Sequence, residues 1–275
     1  MFRHIANFTY KKQQATIRDF GNQWMIHGEL RADYWTSDEM FRDYLGNIFE
    51  PKLMQGKKVL EVGSGSGRIL RMINRYSPAE LIGVEPSKGF ETLRSNTKDL
   101  KNLVLENLKG SNYVSRDLDF VFSLGVIHHI KNPKETLSNI YSSLNSDGKF
   151  IIWVYGLENN RIYVIFRFFV SFFCRALSDV QLDKVSQWLQ KVVVKYGEIS
   201  FKFANSSLPL TKYILEVFTP CGEKERKYIV FDQLNPAYAK YYSRRQLVKI
   251  LSQAGFSKIF TEHRHKYSWV AVAHK

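Results

Sequence analysis

Cysteine is almost missing from this chain: Cys174 and Cys221 are the only two of 275 residues, and they stand far apart. That excludes a disulfide framework and a cysteine-based metal site, and it suits a reducing compartment. Acidic residues are also scarce, with 26 Asp and Glu against 40 Lys and Arg and a net charge of +14. Such a balance points to an acidic partner: nucleic acid, an anionic glycan or an anionic membrane surface. The plainer alternative is a soluble enzyme with scattered lysines. Long hydrophobic runs are lacking too. The most apolar stretch, from Arg161 to Leu177, is interrupted by Arg167 and Arg175, whereas a spanning helix needs about 20 nearly uninterrupted apolar residues. Residues 1–10 carry no apolar export core, so the expectation is a cytoplasmic location. Internal repeats and low-complexity tracts are not seen, and an apolar fraction of 44% supports an ordinary core. The length suits one large domain, or one domain with an insertion.

What is present is organised around Val59-Leu60-Glu61-Val62-Gly63-Ser64-Gly65-Ser66-Gly67-Arg68. An apolar run ends in a glycine-spaced loop and passes into Ile69-Leu70-Arg71-Met72-Ile73, which has helical spacing. This reads as buried strand, tight turn and helix start. Glycines allow positive φ and a close approach of ligand to backbone, and the helix N-terminus presents free N–H groups. A dinucleotide fold requires G-x-G-x-x-G, but Arg68 occupies the place of its third glycine.

The pattern Glu61-x-Gly63-x-Gly65-x-Gly67 resembles the first motif of class I S-adenosylmethionine-dependent methyltransferases. Further segments carry the same resemblance in order: Asp119-Phe120-Val121-Phe122-Ser123, the pair His128-His129, Asn132-Pro133 before a helical segment, and Asp147-Gly148 before a strand. The resemblance covers about 100 residues. It implies S-adenosylmethionine as cofactor and a doubly wound α/β sheet of seven strands in the order 3-2-1-4-5-7-6. Strands and helices alternate through residues 57–155, as such a sheet requires. The organisation expected is a helical N-terminal segment over the cofactor site (1–56), a cofactor-binding core (57–155), a mostly helical substrate-covering insertion (156–242), and a closing helix and strand hairpin (243–275).

Candidate cofactor residues follow strand by strand. Glu61, Gly63, Ser64, Gly65 and Gly67 form the loop. Glu85, before Pro86, lies about 20 residues beyond the glycines, where a doubly wound fold places its ribose-binding carboxylate. The resemblance places a polar adenine contact at Asn107, beside Leu108, with Glu106 as rival, and it brings Leu124 to the site. Phe20-Gly21-Asn22-Gln23-Trp24 resembles a segment preceding the cofactor loop in some relatives, which puts Trp24 near the cofactor; otherwise Trp24 packs the N-terminal helices on the core. Methyl transfer from a sulfonium is an in-line displacement, and an alcohol acceptor must lose its proton as the bond forms. His128 and His129 are the candidate bases, with Asp232, Tyr155 and Glu158 as further substrate-side candidates. No metal is implied, since only Asp117 and Asp119 lie near the fourth strand.

The function expected is O-methylation of a sugar, glycan or other small molecule, the region after the fifth strand resembling methyltransferases of bacterial surface glycans. An RNA methyltransferase is the alternative, disfavoured because no basic cluster interleaved with aromatics stands out. A non-catalytic cofactor-binding subunit is another. On a helix, Arg167, Ser171, Arg175 and Ser178 would form one polar strip. Residues 161–178 would then lie on anionic lipid at the inner face of the membrane, or pack against the sheet or a dimer mate.

Overall fold

The computed structural model describes residues 2–30, 33–174, 176–204 and 208–275. The chain opens with α1 (Phe2–His27) and α2 (Asp38–Leu45). It then alternates through β1 (Lys58–Val62), α3 (Arg68–Asn74), β2 (Glu80–Val84), α4 (Phe90–Thr97), β3 (Leu103–Glu106), β4 (Leu118–Leu124), α5 (Lys134–Ser143) and β5 (Leu144–Tyr155). A helical stretch follows: α6 (Arg161–Cys174), α7 (Asp179–Ala204), the single turn α8 (Thr211–Tyr213) and α9 (Glu223–Leu234). The chain closes with α10 (Arg244–Gln253), β6 (Ser257–Arg264) and β7 (Ser268–His274).

All seven strands form one sheet in the order β3-β2-β1-β4-β5-β7-β6, the order expected from the sequence. β1 to β5 run parallel, and β7 is antiparallel to both β5 and β6. Parallel strands are covered on both faces, which is why β1 and β2 are apolar almost throughout. Their side chains alternate between two cores. Val59 and Leu81 join Met40, Phe41 and Leu45 of α2 in one layer, while Leu60 and Ile82 join Ile140, Leu247 and Leu251 in the other.

Local signals account for the helix ends. Ser37 caps α2 by accepting from the Met40 N–H at 3.0 Å. Ser243 and Gln246 form a reciprocal capping box at α10. One strand differs from expectation: β5 begins at Leu144, so Asp147-Gly148 lies within it, opposite a register shift at Leu118–Phe120 of β4.

The polar strip read on residues 161–178 divides between interior and surface, Ser178 being exposed. Arg167 points inward, its Nε–H donating to the Gln233 carbonyl at 2.8 Å, while Ile162, Phe166, Phe169 and Phe173 face out. The inward neighbours of Arg167 are Tyr155, Tyr163, Tyr241 and Tyr267, with the carboxylate of Asp232 on α9, so α6 turns this polar group toward the interior. Arg175 and the Ser171 side chain lie outside the described residues.

Candidate active site

The site is built where β1, β2 and β4 end. The loop after β1 turns back on β2 through Gly63 and Ser64, whose N–H groups donate to the Val84 carbonyl at 2.8 and 3.0 Å. Gly63, Gly65 and Gly67 have φ of +83°, +53° and +88°, a region that side chains with a Cβ rarely adopt. Space is also closed to larger residues. A Cβ on Gly65 would meet the Trp24 ring at 2.8 Å, and one on Gly63 would meet Val126 at 2.5 Å.

Glu85 directly follows β2 and is buried. One carboxylate oxygen accepts from Gly65 N–H and the other from Ser87 N–H, each at 2.9 Å. It thus ties the glycine loop to the tip of β2, and with Pro86 it lines a cavity of about 670 Å³. Gly63, Gly65, Val126 and His129 are on the same wall, as are Lys109, Gly110 and Ser111. Glu85→Ala is expected to weaken cofactor binding by about 1.5–3 kcal/mol, the loss of a charged hydrogen bond; calorimetry with S-adenosylhomocysteine measures it. Unchanged affinity would assign Glu85 to bracing the loop alone.

Asn107 and Leu108 stand off this wall. The Asn107 amide donates to the Glu85 carbonyl at 2.7 Å, so it braces the end of β2, and Leu108 is exposed. An aspartate, which only accepts, could not make that bond.

A second, smaller cavity of about 130 Å³ lies on the other side of the loop. Phe20, Trp24, Gly63, Gly65, Gly125 and Val126 line both cavities, so Trp24 and the glycine loop stand between them. The smaller cavity is walled by Trp35, Tyr44, Trp153, Tyr155 and Tyr228, with Glu61, Ser64, Arg68, Leu124 and Asp232 among them. Arg68 lies 4.2 Å from the centre of the Trp35 ring and donates to the Trp35 carbonyl and the Tyr44 hydroxyl.

Two carboxylates in this cavity are held differently. Glu61 is buried and its Oε2 has no hydrogen-bond partner. Burial pushes its pKa up to about 8, against the opposing pull of Ser64 and Arg68. Asp232, on α9, accepts from the Gln23 amide at 2.7 Å and from the Tyr155 hydroxyl at 3.3 Å. Burial raises its pKa above the usual aspartate value, although both hydrogen bonds favour the charged form. Gln23 also donates to the Tyr228 hydroxyl and accepts from the Asn235 amide, each at 3.0 Å. Gln233 donates to the Tyr155 oxygen at 2.6 Å.

The two histidines are separated by function of place. His129 lines the larger cavity, and its Nδ1 bonds the Tyr238 carbonyl at 2.8 Å. A carbonyl only accepts, so Nδ1 carries the proton and Nε2 the lone pair. Burial lowers its pKa to about 3, which keeps it neutral. His128 lines neither cavity; its ring lies tilted with its centre 3.9 Å from that of Tyr155, and neither nitrogen has a hydrogen-bond partner among the described residues. Burial drives its pKa well below 6.5. Glu158 is also outside both cavities, accepting from the Trp269 indole and Arg244 N–H at 2.8 Å.

Sequence reasoning missed Gln23, Trp35, Tyr228 and Gln233. Gln23 and Asp232 carried one signal: each is polar on the inward side of a helix whose neighbouring turns are apolar or aromatic.

Residues 60–150 match the family described as methyltransferase domain. The tRNA U34 carboxymethyltransferase of Campylobacter hominis is 32% identical over 108 residues, covering 38% of this chain and 38% of that protein. The enzyme of the same name from Photobacterium profundum is 28% identical over 175 residues, covering 58% of this chain and 52% of that one. The chain therefore spans about half or less of the length of these relatives. Human N-acetylserotonin methyltransferase, solved in complex with S-adenosylmethionine, superposes with a TM-score of 0.53 at 11% identity, over 86% of this chain and 53% of that one. That likeness concerns the fold.

Residues 60–150 thus match a methyltransferase domain built on a Rossmann-like sheet. The residues present fit S-adenosylmethionine as its cofactor. The orphaned Glu61 carboxylate is suited to the ammonium of its methionine part, the left-handed glycines admit close backbone approach, and the Glu85 carboxylate is suited to ribose hydroxyls.

Proposed function

We propose that the chain transfers a methyl group to a hydroxyl of a sugar, glycan or other small acceptor held in the smaller, aromatic-walled cavity. The observation that carries this reading is Asp232. It is a half-buried carboxylate on the cavity wall, oriented by Gln23 and Tyr155. Flat aromatic faces suit the C–H faces of a sugar ring or a planar acceptor. The carboxylate suits the acceptor's O–H.

When bound, S-adenosylmethionine supplies a methyl carbon activated by its sulfonium. The protein's part is alignment and proton removal. As the oxygen–carbon bond forms, the acceptor proton passes to Asp232, whose raised pKa makes it a stronger base than an ordinary aspartate. His129 keeps its lone pair at every pH above about 3 but faces the larger cavity, where it positions rather than deprotonates.

Asp232→Asn is expected to lower kcat by about 10²–10³ while leaving S-adenosylhomocysteine affinity within about twofold. The wild-type rate should fall as pH drops through a midpoint above the ordinary aspartate value, because protonated Asp232 cannot accept. The Asn variant should lose that limb. If His129→Ala removes the limb and Asp232→Asn does not, the assignment is wrong.

A second reading has specific support in the names of the curated relatives and in the excess of 40 Lys and Arg over 26 Asp and Glu. In it the acceptor is a tRNA nucleotide. Incubating the chain with methyl-labelled donor and separate glycan, small-molecule and RNA fractions of a bacterial extract decides between them. Label in RNA overturns the first reading.

A further inference from the structure

We infer that the exposed apolar faces of the consecutive helices α6 and α7 dock this protein on an anionic lipid surface. The inference does not depend on which acceptor is methylated. Ile162, Ile165, Phe166, Phe168, Phe169 and Phe173 are each between 60% and 71% exposed on a helix of 14 residues. Five of them recur at helical spacing along one side. Contiguous large apolar residues of this kind mark a surface that is covered in use. They are not surplus core: α6 already meets the interior through Arg167, Tyr163 and the buried Cys174. Among the described residues no helix is long and apolar enough to cross a membrane, so the face can lie on a bilayer but α6 cannot traverse it.

Charge identifies the occupant. The exposed side of α7 carries Trp188, Ile199 and Phe203 together with Lys184, Lys195 and Lys202, Lys184 and Lys195 each lying four residues before an exposed apolar side chain. Arg161 starts α6. Lys184, Lys202 and Arg161 form no ion pair among the described residues, and Lys195 meets the exposed Glu198. Apolar and aromatic side chains set among lysines match an interface with acyl chains below and anionic head groups around them. A second copy of the chain fits less well. A two-fold contact would place each patch against itself, lysine facing lysine with Glu198 as the acid on that side of α7.

The test is flotation of the full-length chain with vesicles of phosphatidylcholine alone, or of phosphatidylcholine and phosphatidylglycerol at seven to three. The chain should float with the mixed vesicles, stay behind with phosphatidylcholine, and be released by high salt. Trp188 is the one exposed tryptophan of five, so its emission should shift to the blue on mixed vesicles, and Trp188→Phe should remove that shift. Phe166→Glu with Phe169→Glu should abolish flotation without lowering the Tm, since both side chains are already in water. Lys184→Glu and Lys202→Glu should each weaken binding by about fivefold or more. Absence of flotation overturns the inference, as does equal flotation on both vesicle types. A dimer seen by light scattering and split by the phenylalanine pair, with no vesicle binding, would assign the face to a second copy.

Discussion

Glu61→Gln is expected to make the ligand-free protein more stable at pH 8 and a poorer cofactor binder. In the folded chain burial pushes the Glu61 pKa up to about 8, from an unperturbed 4.5. Between those values the native state holds a proton that the unfolded chain releases. The sign follows directly: stability from this group is full below pH 4.5 and is lost as pH rises toward 8. The loss is on the order of 4 kcal/mol at its largest. Glutamine is nearly the same size and does not titrate, so its variant escapes that loss. Denaturant melts of both proteins from pH 4.5 to 8 should diverge with rising pH.

The binding side runs the other way. A buried carboxylate with one oxygen free of partners among the described residues, beside a glycine loop, is suited to an ammonium, and pairing with one restores its charge. Wild-type protein at pH 7 should therefore release a proton on binding S-adenosylhomocysteine, visible as a buffer-dependent heat in calorimetry. The glutamine variant should show no such dependence and bind about tenfold more weakly, having lost a charge-assisted hydrogen bond. If the variant is less stable at pH 8, Glu61 is held by partners other than those described above.

Gly65→Val carries the largest expected loss of binding, about 100-fold or more, for two additive reasons. Valine at φ +53° is strained, because a branched side chain is poorly accommodated in the left-handed region. Its Cβ would also arrive 2.8 Å from the Trp24 ring, so either the loop or Trp24 must move. Since both line the two cavities, either shift deforms the site. The fold should survive, because Gly65 lies beyond the end of β1 and its buried strand residues keep their packing. Retained far-ultraviolet circular dichroism with lost S-adenosylhomocysteine binding is the expected outcome. Binding within tenfold of wild type would show that the loop has room which these contacts deny.

The sheet was legible because its strands bury both faces, and such strands write themselves as short apolar runs ending in turn residues. Val59–Val62 and Leu81–Val84 show this plainly, and the glycine loop and Glu85 follow from their ends. The helices around the site were harder to read for a physical reason. α1 buries Thr16 and Gln23, α6 turns Arg167 inward, and α9 turns Asp232 toward the smaller cavity. A helix that lines a site reverses the usual pattern of apolar inside and polar outside, so hydrophobic periodicity assigns its faces wrongly. Arg167, read as part of a polar strip on residues 161–178, packs inward for that reason. Asn107 is held differently: its amide nitrogen donates to the main chain just beyond β2.

The amides around Asp232 also have a direction. Asn235 donates to the Gln23 carbonyl oxygen, which leaves only the nitrogen of Gln23 to face the carboxylate. Gln233 donates to the Tyr155 oxygen, which sends the Tyr155 proton the same way. Asp232 is thus met by donors alone, and its readiness to accept a proton is governed from Asn235 and Gln233, neither of which hydrogen-bonds it. Evolution can therefore retune this base without touching it, by altering which way a neighbouring amide is turned.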